Sequence, residues 1–157
     1  MQNINRKLCE KINKVLKPLG FKKKGVSWYL NNPQTITILE IQRSKWSENY
    51  YLNLGIYLKE KGEEVIDVQE CKCHIRTRLT KLLDNKSDLE KYLNYAGIND
   101  TEILLNIDKV EDILKEFFFR NVENFEDVES VVNYLMLVGL GKFLILKSVA
   151  EKYNLIK

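Results

Sequence analysis

The chain has 157 residues, 45% of them apolar and 30% charged, which suits one globular domain with a sizeable core and excludes a disordered polymer. No run of about 18 apolar residues occurs, and the longest candidate, residues 131–145, is interrupted by Asn133, Gly139, Gly141 and Lys142, so no membrane span is expected. The first ten residues lack the apolar segment of a secretory signal, and the three cysteines, an odd number, point to reduced thiols; together they predict a cytoplasmic protein.

Net charge is +3, but its distribution is uneven. Residues 1–82 carry 16 basic and 8 acidic side chains, a balance of +8, whereas residues 83–157 carry 9 and 14, a balance of −5. Ten acids and three bases fall within residues 100–129. Two such halves can attract each other across a fold, or present separate patches to different partners.

In chain order, Ile4, Leu8, Ile12, Val15 and Leu16 repeat at the spacing of one buried helical stripe, and Pro18 with Gly20 ends that helix. Lys22 to Lys24 reads as a solvated connector. Val26 to Leu30 alternates as a short strand, and Asn31-Asn32-Pro33 supplies a turn. Residues 35–57 form the centre of the chain: two strands joined by the polar turn Gln42 to Asn49, with Trp46 at its tip. Tyr50, Leu52, Leu54, Ile56 and Leu58 alternate with Tyr51, Asn53, Gly55 and Tyr57, which places the first set in a core and the second outside it. The alternation slips at Ile38-Leu39, as a bulge or burial on both faces would cause. Trp46 suits either an edge residue capping the core or an exposed contact residue. Glu70 to Leu79 alternates again, with Cys71, Cys73, Ile75, Thr77 and Leu79 on one side and His74, Arg76 and Arg78 on the other.

The second half is helical in pattern. Ser87 to Glu90 reads as a capping box before a short helix on which Leu89, Tyr92, Leu93 and Ala96 align; residues 103–107 are apolar and ambiguous. Val110, Ile113, Leu114, Phe117 and Phe118 mark a helix over 109–119, Asn124 a cap for the next, and Phe143 to Tyr153 a last helix beginning near Lys142. The expected fold is α+β over residues 1–157: a leading helix, an antiparallel meander of about four strands, and C-terminal helices packed on it.

Leu19-Gly20-Phe21-Lys22-Lys23, Trp28-Tyr29, Ile41 to Lys45, Leu52 to Ile56, Cys73 to Arg76 and Arg78-Leu79 occur in an order and spacing that resembles the bacterial DUF4304 domain, most strongly over residues 4–82. The resemblance implies a compact α+β domain. That family has no assigned function, so no catalytic residue is carried over.

Chemistry-bearing patterns are sparse. Cys71, Cys73 and His74 do not make a zinc site, because alternate residues of a strand diverge, and no metal or cofactor is expected. His74 is the only histidine, with no nucleophile elbow or phosphate loop beside it. A small hydrolase or transferase would need Glu40 and His74 brought together over a pocket. The distinctive feature is the outward sheet face, where Gln42, Tyr51, Asn53, Tyr57, His74, Arg76 and Arg78 gather around Gly55, with Trp46 nearby; a missing side chain at Gly55 would leave a shallow groove. Tyrosine and arginine predominate at binding hot spots, and the leading expectation is a non-enzymatic module that binds another protein. One version is an immunity-type protein whose acidic segment (Asp108, Glu111, Asp112, Glu116, Glu123, Glu126, Asp127 and Glu129) blocks the basic cleft of a toxin. The alternative is a single-stranded nucleic-acid or RNA-binding module, in which Lys22 to Lys24, Lys72, Arg76 and Arg78 neutralise phosphates while Tyr51 and Tyr57 stack on bases.

Overall fold

The computed structural model describes residues 3–66, 68–84 and 86–155. The chain opens with helix α1 (Ile4–Leu16), capped by Asn3, whose side chain accepts from the Arg6 amide at 3.0 Å. Its stripe, Leu8, Ile12 and Leu16, is fully buried. Gly20, at φ +96°, turns the chain off this helix in a backbone region that side chains rarely adopt.

Six strands follow in one meander, each hydrogen-bonded to the next in antiparallel sense: β1 (Lys22–Lys24), β2 (Ser27–Asn31), β3 (Thr35–Arg43), β4 (Tyr50–Leu58), β5 (Ile75–Arg78) and β6 (Leu144–Ile145). Helices α2 (Lys86–Tyr92), α3 (Asp100–Asn121), α4 (Val128–Val138) and α5 (Lys147–Lys152) belong to the second half of the chain. The α+β architecture is as the sequence predicts, with six strands in place of four. The lysine run expected as a connector is the edge strand β1, paired with β2. Leu144–Ile145, expected inside the last helix, pairs with Ile75 and Arg76, which shortens that helix to Lys147–Lys152. The strand expected from Glu70 to Leu79 keeps only Ile75–Arg78, because Glu70–Lys72 and Leu79–Leu82 close into single turns of tighter helix.

Strands β3 and β4 pair without interruption from Thr35–Leu58 to Arg43–Tyr50. Ile38 and Leu39 are therefore not a bulge: both are buried, one on each face. On the helix-covered face, Trp28, Leu39, Ile41, Leu52, Leu54 and Ile56 meet Leu8 and Ile12 of α1 and Val110, Leu114 and Phe118 of α3 in one core that also takes in Phe125, Val131, Leu135 and Leu155. Trp28 is sealed inside, its Nε1–H donating to the Asn13 side-chain oxygen at 3.2 Å, so the indole leaves no donor unsatisfied. Replacement by alanine there would cost about 3–5 kcal/mol.

The ambiguous residues 103–107 join the predicted 109–119 helix in the 22-residue α3, which starts at a capping box: the Asn99 side chain accepts from the Glu102 amide, and the Glu102 carboxylate accepts from the Asn99 amide. The capping box expected at Ser87 rests on a side chain outside the described residues, and Ala96, past the end of α2, is exposed. Helix α4 is capped by Asp127 rather than Asn124, with the Ser130 amide donating to Asp127 Oδ1 at 2.8 Å. Two further bonds tie this segment to β3. The Val128 amide donates to Gln34 Oε1 at 3.0 Å, and the Thr35 hydroxyl donates to the Phe125 carbonyl at 2.5 Å.

Candidate functional site

The strand register sets out the sheet face away from the main core rung by rung. Gln42 faces Tyr51; Glu40, Asn53 and Arg78 form the next rung; Ile38, Gly55, Arg76 and Leu144 the third; Ile36 and Tyr57 the fourth. The side-chain alternation read from sequence therefore brings Gln42, Tyr51, Asn53, Tyr57, Arg76 and Arg78 onto one face, with His74 preceding Arg76 on the same side of β5. Half of that face is covered by the chain that links β4 to β5.

The long connection from β4 to β5 folds over the third and fourth rungs. Ile36, Ile38 and Cys73 are buried there as a second small core, with Tyr29, Tyr57, Val65 and Val68 packed around them. Gly55 is not an open groove. A Cβ at that position would stand 2.8 Å from Cys73 Sγ and 3.2 Å from Glu70 Cγ, so the absent side chain is what lets the connection lie flat on the sheet. Cys73 thus belongs to this outer cluster, not the main core, and burial followed by the charge of Glu70 pushes its thiol up to about 12. Cys71, which strand alternation would set on the same side as Cys73, is instead exposed on the turn.

Three of the candidate residues, Tyr57, His74 and Arg76, are engaged inside this covered half. Tyr57 donates its hydroxyl to Glu63 Oε1 at 2.5 Å, and its ring lies 4.4 Å from that of His74. The His74 Nδ1 accepts the Leu58 amide at 2.9 Å, which requires a neutral ring, and burial lowers its affinity for a proton. Glu70, only 3% exposed, takes the Arg76 guanidinium in a two-point pair: Nε to Oε1 at 3.1 Å and Nη2 to Oε2 at 3.3 Å. Glu40 sits beyond, accepting from the Ser27 hydroxyl at 3.2 Å, its carboxyl held above the ordinary range by burial and by the charge of Glu70. Glu40 is level with Asn53 and His74 with Tyr57, about 13 Å apart along the strands, so the two do not form an acid–base pair.

The first two rungs are covered less fully: Gln42 is exposed, Tyr51 and Arg78 are half-buried, and Asn53 is buried beneath them. The Asn53 amide donates to Gln42 Oε1 at 2.9 Å, and the Arg78 guanidinium lies 3.8 Å from the centre of the Tyr51 ring, a stacked cation–π contact that orients it. Arg78 forms a wall shared by two clefts. One, of about 330 Å³, runs past Asn53, Glu70, Arg76 and Lys81 to Leu144. The other, of about 450 Å³, lies between Tyr51, Thr80, Lys91 and Asn94. Glu70, Lys81, Thr80 and Leu144 were not marked by any sequence pattern. Trp46 does not cap the core: at 94% exposure it stands clear at the tip of the β3–β4 turn, beyond the Gln42–Tyr51 rung.

The acidic candidates are dispersed. Lys11 of α1 bridges Asp108 at 3.0 Å and Glu111 at 3.1 Å, and Lys14 reaches Glu111 at 3.1 Å. Glu116 pairs with Arg120 one turn along α3, and Asp127 caps α4. Asp112, Glu123, Glu126 and Glu129 remain exposed. Part of the charge asymmetry between the two halves is thus an attraction within the fold. Among the described residues, no three histidine, cysteine, aspartate or glutamate side chains lie together as a metal site would need, and no helix is long and apolar enough to cross a membrane.

These features define a small α+β domain: a six-stranded meander with helices on one face and a polar, half-open surface on the other. Residues 12–118 match the family described as Domain of unknown function (DUF4304), and the chain belongs to that family. The matched segment runs past the 4–82 stretch in which the resemblance is strongest and ends within α3. No curated protein and no solved structure matches the chain.

Proposed function

We propose that the chain is a non-enzymatic protein-interaction module whose contact surface is the less covered half of the outer sheet face: Gln42, Tyr51 and Arg78, with Asn53 beneath them and Trp46 on the adjoining turn. The observation that carries this is the braced Arg78–Tyr51 stack, with Trp46 exposed at the tip of the adjoining β3–β4 turn. It holds two residue types that dominate binding energy on rigid strands, each half exposed. An exposed Cys71 thiol suits a reducing, cytoplasmic setting. The sheet face is favoured over the acidic segment, since Lys11, Lys14 and Arg120 already engage three of its eight carboxylates. An immunity-type role would then operate through the Tyr/Arg surface. Nucleic-acid binding is less well supported: Arg78 covers one face of Tyr51, His74 lies against Tyr57, and β1 with its lysines is four strand spacings from β5, about 19 Å.

Quantitative affinity capture with three forms of the chain tests this. Partners taken by the wild type should be lost from Trp46→Ala/Arg78→Glu and kept by Asp112→Asn/Glu123→Gln/Glu126→Gln/Glu129→Gln. Loss from the second variant with retention by the first would overturn the assignment.

A further inference from the structure

We infer that the cleft between Arg78 and Lys81 receives a carboxylate side chain from an acidic segment of the partner protein. This rests on the sheet-face proposal and adds the chemistry of the partner. The lining brings three cations, Arg76, Arg78 and Lys81, against one acid, Glu70. Glu70 is consumed by its two-point pair with Arg76, whereas among the described residues neither Arg78 nor Lys81 has a carboxylate partner. The cleft is therefore electropositive and short of one or two negative charges. Glu40, the nearest other acid on the face, accepts from Ser27 on the β2 side and does not line the cleft.

The site is built before any ligand arrives. Glu70 fixes Arg76, the Tyr51 ring orients Arg78, and the Asn53 amide is held by Gln42, so these three side chains have little freedom left to lose on binding. Arginine in such a frame suits two-point recognition of a planar carboxylate. A volume of about 330 Å³ is at the small end for ligand pockets and suits one inserted side chain. Leu144, 65% exposed at the rim, offers an apolar contact for the residue beside it.

Acetylated, amidated hexaglutamate is the probe, followed by ¹⁵N NMR and by fluorescence anisotropy, with hexaglutamine and an eight-residue oligothymidylate as comparisons. Hexaglutamate should bind with a Kd of about 1 mM at low salt. Its shifts should centre on the Gln42 and Asn53 side-chain amides and the Arg78 Nε–H. Affinity should fall at least tenfold in Arg78→Gln and in Lys81→Glu, the latter at an exposed position that leaves the fold intact. Hexaglutamine should not bind. Equal affinity in the Lys81→Glu form, shifts centred on Lys22 to Lys24, or tighter binding of oligothymidylate at the same residues would overturn the inference. If partner capture is lost in Trp46→Ala/Arg78→Glu yet hexaglutamate binds elsewhere, the carboxylate assignment falls while the sheet-face proposal stands. If hexaglutamate binds as expected while capture is unaffected by that variant, the sheet-face proposal falls, and with it the inference that the carboxylate comes from a partner.

Discussion

Gly55 divides the covered half of the outer face from the less covered half. The nearest sulfur to a Cβ at that point would be 2.8 Å away, closer than real Cβ atoms come, so Gly55→Ala must lift Cys73 and Glu70 off the sheet or strain the strand. A loss of about 1–3 kcal/mol in denaturant unfolding is expected, accompanied by faster alkylation of Cys73. Unchanged stability and a still-protected thiol would contradict the packing described. His74 offers a second residue-scale check because it is the only histidine. Burial lowers its pKa below the ordinary 6.5, and its Nδ1 accepts a backbone amide only when neutral. The folded state therefore binds that proton less readily than the unfolded chain. The stability contributed by neutral His74 is present above pH 6.5 and is lost as pH falls through the folded value. The ring resonances should titrate with a midpoint below 6.5, and a midpoint at or above it would be inconsistent with that contact. How much of the site was legible follows from the same residues. Period-two alternation from Tyr50 to Leu58 assigned both faces of β4, because pleating is a local property of the backbone. Nothing local marks Glu70 for burial or sets Lys81 beside Arg78: both depend on how the β4–β5 connection and the turn after β5 fold back, a tertiary outcome.

At the scale of elements, α1 and α3 are joined by burial of Leu8 and Ile12 against Val110 and Leu114, and by the Lys11–Asp108, Lys11–Glu111 and Lys14–Glu111 pairs at their margin. The apolar contact dominates. Ion pairs at a solvent margin contribute little even where one partner, here Glu111, is half-buried, so Glu111→Gln should lower stability by only about 0.5–1 kcal/mol. The difference should shrink in 1 M salt, where the screening length is about 3 Å, and a loss that does not respond to salt would assign Glu111 a different role. The elements missed in sequence were the two outermost strands, for opposite reasons. Strand β1 is three exposed lysines, a composition that protects a sheet edge from pairing with other chains while hiding the strand from any hydrophobic pattern. Strand β6 has two residues, shorter than any periodicity can reveal, and Thr77 Oγ1 fastens its approach by donating to the Lys142 carbonyl at 2.6 Å. Helix α3, by contrast, was read in part because its buried positions recur at helical spacing from Ile103 to Phe118.

For the molecule as a whole, one face of the sheet is committed to the core, and the other is divided between a small second core and a polar surface ordered by its own internal contacts. Other exposed features lie elsewhere, among them Phe119, 82% exposed near the end of α3, the acids Glu123, Glu126 and Glu129, and the lysine edge. They make the proposed contact surface separable from its rivals in a single experiment. A photo-crosslinking amino acid placed in turn at Gln42, Glu126 and Phe119, each an exposed position, reports which surface meets a partner in living cells. A covalent adduct from Gln42, absent from the other two, is the predicted result. An adduct from Glu126 or Phe119 with none from Gln42 would contradict the assignment of the less covered sheet face as the surface through which this domain acts.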